Sequence, residues 1–163
     1  MKMLGLVASA VAAALLGAAA ALVCAYSLLN FAGAPYFAVA SNSMSPVMQR
    51  GDLIVTSPQG DLSVGDAVTF RMHGQLVTHR LVAPGRLPDT FETRGDANPG
   101  NDPWTISTSD VVGKVQSVIA RAGWPLLWLG TLSGRVALVA VVLFAIAALQ
   151  WAWPRVAYAQ ALP

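Results

Sequence analysis

From Leu4 to Leu29 the chain carries no charged residue, and a second uncharged run extends from Val136 to Trp153. A helix rises about 1.5 Å per residue, so the first run exceeds the roughly 30 Å hydrocarbon core of a bilayer and the second just reaches it. Only the middle of the chain is then left to fold in water. A chain with 55% hydrophobic and 11% charged residues and a mean hydropathy of +0.57 could not bury its apolar surface inside one globule of 163 residues. The expected organisation is a short N-terminus (1–3), a transmembrane helix (4–29), a β-rich domain (30–122), an interfacial segment (123–135), a second transmembrane helix (136–153) and a tail (154–163).

Each apolar run has another reading. Lys2 and the small residues Ala18 to Ala20 would suit a cleaved secretory signal, but such signals have apolar stretches of only about 7 to 15 residues. Gln150 and the weak hydrophobicity of alanine would suit a buried core helix at the second run, whereas Trp151 and Trp153 are placed like interfacial anchors. Trp124 and Trp128 mark the preceding stretch as lying at the membrane surface. Two spans put both termini on one side. Lys2 and Arg155 favour the cytoplasm and Arg135 opposes it, although long translocated domains largely escape the charge rule. The middle domain is expected to be extracytoplasmic and the chain to be a two-span protein of the cell membrane.

Arg50, Arg71, Arg80, Arg86, Arg94, Lys114 and Arg121 face all eight acids in the middle region, leaving it slightly acidic. No clustered basic surface exists for nucleic acid. Cys24 is the only cysteine and lies in an apolar run, so neither an intramolecular disulfide nor a cysteine metal site can form. His-Glu-x-x-His or a comparable ligand set is absent, and no metal or organic cofactor is expected.

Between Tyr36 and Ile119 short β-like runs alternate with turn residues. The clearest runs are 52–56, 67–71, 76–82 and 111–119, punctuated at Arg50-Gly51-Asp52, Gln59-Gly60-Asp61, Val64-Gly65-Asp66 and His73-Gly74. The domain is therefore mostly β. His79 lies inside one of these runs beside Arg80, whereas His73 reads as solvated loop. A histidine in a strand is often merely structural, and Ser41-Asn42-Ser43-Met44-Ser45-Pro46 taken alone makes an ordinary loop. The order of three segments changes that balance: the Ser43 segment, then Val77-Thr78-His79-Arg80, then Thr93-Arg94-Gly95-Asp96-Ala97-Asn98-Pro99-Gly100-Asn101-Asp102.

In these segments the sequence resembles the type I signal peptidases, in the class found in the endoplasmic reticulum, in archaea and in some bacteria. The likeness runs along the whole chain, from the leading span through Ser-Met-x-Pro, Gly51-Asp52 and Gly65-Asp66, His-Arg, Gly-Asp-x-Asn-x-x-x-Asp and Asp110-Val111-Val112-Gly113 to the trailing span. The resemblance implies a serine endopeptidase with Ser43 as nucleophile, His79 as general base where most bacterial members use lysine, and Asp102 as the orienting acid. Asp96 and Arg80 are then supporting residues, and the Ser43 N–H and Ser41 hydroxyl are oxyanion donors. The choice of Asp102 over Asp96 rests on the alignment of one short loop. Asn42 stands where glycine is common, and Ala97 where asparagine is.

A serine hydroxyl needs such a base before it can attack a carbonyl. The implied substrates are membrane-inserted preproteins with small residues, of Ala-x-Ala type, before the cleavage site. The implied setting is the lipid bilayer, in association with export machinery. The chain has no large insertion between His79 and Gly95, so the domain looks minimal. Two other functions compete. A non-catalytic scaffold of the same fold would be expected to have lost one of Ser43, His79 and Asp102. A self-cleaving repressor-type peptidase would be soluble, use lysine and carry a DNA-binding segment.

Overall fold

The structure, a computed structural model, describes residues 2–31, 35–57 and 60–160. Gln59 of one expected turn, residues 32–34 of the expected domain, and the terminal residues 1 and 161–163 lie outside that description. The chain divides into two units, one formed by the terminal segments to Leu28 and from Trp128, the other by Leu29–Leu127.

Among the described residues the second unit is built on one seven-stranded sheet. Its strands are β1 (Tyr36–Ala38), β2 (Leu53–Ser57), β3 (Ala67–Met72), β4 (Gln75–Pro84), β5 (Thr90–Arg94), β6 (Thr105–Ser107) and β7 (Val111–Ile119), in the spatial order β1-β2-β7-β3-β4-β5-β6. Every pairing is antiparallel. The four expected strands are present, and β1, β5 and β6 are additional. His73 and Gly74 close the β3–β4 hairpin with φ of 50° and 79°, the positive pair that a two-residue turn needs to match strand twist. His73 is exposed there.

Two apolar clusters hold the sheet. Val68, Phe70, Leu81, Ile106 and Val111 form one, and Met44, Met48 and Ile54 form the other. Thr69, between Val68 and Phe70 on β3, is also buried, so β3 is covered on both faces. Lys114 on β7 reaches Asp66 at the start of β3 at 2.7 Å. Burial pushes the Asp66 carboxyl up, but the Lys114 ammonium and the Ser63 N–H together outweigh it and hold the group below its usual range.

The short helix α2 (Trp124–Leu129) occupies part of the stretch expected at an interface, with Pro125 tolerated in the first turn because its missing N–H would have had no helical partner. The terminal helices are α1 (Lys2–Phe31, 30 residues) and α3 (Leu132–Gln160, 29 residues), both longer than the expected spans at 4–29 and 136–153. Among the described residues no helix is long and apolar enough to cross a membrane. Side chains are described over 9–24 and 132–148 but not to the ends of either helix. The two spans therefore remain a proposal.

Candidate active site

Ser43 lies in the turn segment between β1 and β2. Met44 and Met48 on either side of the segment's Pro46 are each 2% exposed and pack with Ile54, which anchors the segment to the sheet. The Met48 N–H donates to the Met44 carbonyl at 2.9 Å, and Asn42 Oδ1 accepts the Arg50 N–H at 2.9 Å. Asn42 thus has a local task, closing the segment that carries Ser43. Ser45-Pro46 is a cis peptide.

His79 comes from β4 and is 7% exposed. Its Nε2 is 3.1 Å from Ser43 Oγ, and its Nδ1 is 2.5 Å from Asp102 Oδ2. An ionised carboxylate only accepts, so Nδ1 carries the ring proton toward Asp102 and Nε2 is left to accept from the Ser43 hydroxyl. Ser41 Oγ stands 3.2 Å from Ser43 Oγ. Asp102 is held in turn by Thr93. The Thr93 hydroxyl donates to Oδ2 at 2.6 Å, and the Asp102 N–H donates to the Thr93 carbonyl at 2.8 Å.

Successive side chains of a strand face opposite ways, and Arg80 accordingly takes a different acid. Its Nε donates to Asp96 Oδ1 at 2.8 Å, its Nη2 to Asp96 Oδ2 at 2.6 Å, and its Nη1 to the Gly65 carbonyl at 2.7 Å. The Asp96 bond raises the Arg80 pKa further, against the opposing effect of burial. Both acids belong to the loop after β5, and β4 separates their duties: Asp102 meets the histidine, Asp96 the arginine.

The same loop touches the serine segment directly. The Ala97 N–H donates to the Ser43 carbonyl at 2.8 Å, and the Asp96 N–H points at Met44 Sδ at 3.5 Å. Ala97 acts through its main chain, so the absence of an asparagine side chain there leaves this contact intact. A Cβ on Gly95 would lie 2.6 Å from the Ser43 carbonyl oxygen, too close for any side chain unless the backbone moves.

A cleft of about 550 Å³ opens beside Ser43 and His79, bordered by β1, by the first half of β4 and by Leu126 and Leu127 of α2. β5 pairs with β4 only from Arg80 onward, so Gln75–Thr78 is paired to β3 alone. Thr69 and Thr78 share a 2.9 Å hydrogen bond on this side. A larger groove of about 830 Å³ lies around the β4–β5 turn, and neither Ser43 nor His79 lines it. Among the described residues no group of three or more His, Cys, Asp or Glu could hold a metal ion.

The sequence reading named Ser43, His79, Asp102, Asp96, Arg80 and Ser41, and the structure brings all six into one neighbourhood. No motif in the sequence marks Thr93. A threonine nine residues before an acid carries no periodic signal, and only the folded loop joins them.

The family model for Peptidase S24-like proteins matches residues 21–115, more than half of the chain. The chain belongs to this family. Within it, the resemblance to endoplasmic-reticulum-class signal peptidases read from the motifs is supported by curated relatives. The chain is 33% identical to the signal peptidase complex catalytic subunit SEC11 of Leptosphaeria maculans over 112 residues, which is 60% of this chain and 65% of that protein. It is 28% identical to SEC11 of Lachancea thermotolerans over 119 residues, 63% of this chain and 70% of the relative. It is 30% identical to the sec11 subunit of Pyrenophora tritici-repentis over 112 residues, 60% of this chain and 65% of the relative. The match thus spans about two thirds of these relatives' length.

Proposed function

We propose that this Peptidase S24-like family member is a membrane-bound serine endopeptidase that removes signal peptides from exported preproteins. The observation that carries the proposal is the line of hydrogen bonds from Ser43 Oγ through the His79 ring to Asp102. Ser43 Oγ attacks the scissile carbonyl carbon while its proton passes to His79 Nε2. Asp102 holds the ring in the tautomer that can accept that proton and stabilises the imidazolium that results. The Ser43 N–H and the Ser41 hydroxyl serve as donors to the oxyanion, each such donor being worth about 3 to 4 kcal/mol in a serine protease. When the C–N bond breaks, His79 gives the proton to the leaving amine. Water, deprotonated by His79, then attacks the acyl ester, the carbon–Oγ bond breaks, and Oγ recovers its proton.

An extended substrate would enter the cleft as an added strand, along the stretch of β4 that β5 leaves unpaired. Ala38 and Ala40 line the cleft wall, and the proposed preference for small residues before the cleavage site rests on the resemblance to the signal peptidases. The proposal includes a membrane location with an extracytoplasmic catalytic unit. It is supported by α1, which carries no charge after Lys2 and has a helical length of about 45 Å, and by the uncharged 136–154 stretch of α3. The relatives are named as subunits of a complex, which supports association with other export components.

The test is cleavage of a preprotein by the wild type, Ser43→Ala and His79→Ala in detergent with lipid, with the new N-terminus identified by mass spectrometry. Cleavage after an Ala-x-Ala site that disappears in both variants is the expected result. Equal processing by all three proteins, or none by the wild type, would leave a non-catalytic scaffold as the reading.

A further inference from the structure

We infer that Thr93 is a positioning residue for this reaction, its buried hydroxyl and carbonyl fixing the plane of the Asp102 carboxylate against the His79 ring. The inference rests on the roles proposed above for Ser43, His79 and Asp102. Thr93 is fully buried on β5, where the hydroxyl and the carbonyl of one residue grip the carboxylate and the N–H of another. An aspartate needs such a grip, because its terminal torsion is broad rather than confined to staggered wells, so the donors around a carboxylate set its plane. Threonine is itself stiff about χ1, which makes its hydroxyl a fixed point. Oδ2 therefore receives two donors, Thr93 Oγ1 at 2.6 Å and His79 Nδ1 at 2.5 Å. Hydrogen bonds to a charged acceptor are the stronger kind. Without the hydroxyl, Asp102 keeps its main-chain tie but is free to turn its oxygens away from the imidazole. His79 then spends less time aimed at Ser43.

The experiment compares full-length wild type, Thr93→Ser, Thr93→Val and Thr93→Ala in detergent with lipid. It measures kcat and KM on a preprotein, thermal melting, and the downfield proton resonance of the His79 Nδ1–H. Thr93→Ser is expected to keep kcat within about 3-fold. Thr93→Val is expected to lose about 10- to 100-fold in kcat with KM unchanged, the range for one hydrogen bond to a charged group. The Nδ1 proton is expected to move upfield in Thr93→Val and to stay in place in Thr93→Ser. A folded Thr93→Val with unchanged kcat and an unmoved resonance would overturn the inference, as would an equal loss in Thr93→Ser. If Thr93→Val does not melt cooperatively, Ser against Ala isolates the same hydroxyl, and equal kcat in that pair is the overturning result. If the wild type cleaves nothing, the proposed function fails, and the resonance alone still decides the role of Thr93.

Discussion

The Ala97 N–H donates to the Ser43 carbonyl at 2.8 Å, so the loop that supplies Asp102 is joined through main chain to the segment that supplies Ser43. The parts of the site are therefore interdependent. A displacement of the loop moves the serine as well as the acid.

Gly95 sits at this junction. Gly95→Ala would place a methyl 2.6 Å from the Ser43 carbonyl oxygen and 2.8 Å from the Asn98 side chain. Overpacking of this kind costs about 1 to 3 kcal/mol, and here the strain falls on the Ala97–Ser43 bond. We expect a lower melting temperature together with a loss of preprotein cleavage of at least about tenfold. Wild-type kcat in the alanine variant would show that the junction can relax at no cost.

Asp96→Asn removes the charge and one of the two oxygens that Arg80 grips, leaving a partly buried guanidinium with one amide oxygen and the Gly65 carbonyl as acceptors. Breaking one side of a buried pair costs about 3 to 5 kcal/mol, and the 31% side-chain exposure of Arg80 lowers the expectation to about 1 to 2. Denaturant titration should give that difference at an unchanged m-value, because the amount of surface exposed on unfolding is unaltered.

The depressed Asp66 carboxyl makes an acid-side prediction. A folded pKa below the ordinary 3.8 contributes stability that is complete above the unfolded value and is lost as pH falls through the folded one. Between about pH 5 and pH 2 the wild type should therefore lose more melting temperature than Asp66→Asn, which has no such proton to take up. Parallel melting curves for the two proteins across that range would remove Lys114–Asp66 from the account of stability.

Met44→Ala empties a site that is 2% exposed and adjoins Ser43. Truncation of a buried methionine costs about 2 to 5 kcal/mol, and this one also removes the sulfur that faces the Asp96 N–H. Met44→Leu, close in volume, should cost under about 1.5 kcal/mol. Chemical denaturation of both variants separates lost packing from lost sulfur contact, since only packing distinguishes Ala from Leu.

Much of this architecture could be read before folding, and what escaped has physical reasons. β2, β3, β4 and β7 are rich in β-branched residues, and the first three are also bounded by glycine paired with a polar neighbour, signals carried within or beside each strand. β1 and β6 are three residues each, too short for period-two alternation to show. β5, Thr90–Arg94, has only one apolar residue and is a strand because β4 and β6 flank it. α2 is only six residues, too short for helical periodicity to show in the sequence. The histidines were separable because one lay in a β-like run and the other before a glycine. Which acid meets His79 was not separable by periodicity, because Asp96 and Asp102 share one irregular loop and their partners are decided by which face of β4 each reaches.

That alternation on β4 also governs how the chain can change length over time. His79 and Arg80 are neighbours facing opposite sides, and a one-residue slip in a strand sends every side chain to the other face. Loss of a single codon between the His73–Gly74 turn and His79 would present to Ser43 a guanidinium that does not release its proton at any ordinary pH. The exposed turn at 86–89, beyond the site, has no such parity to keep and can gain or lose residues as surface loops do. Descendants of this sequence should therefore vary in length after β4 and hold a fixed count before His79.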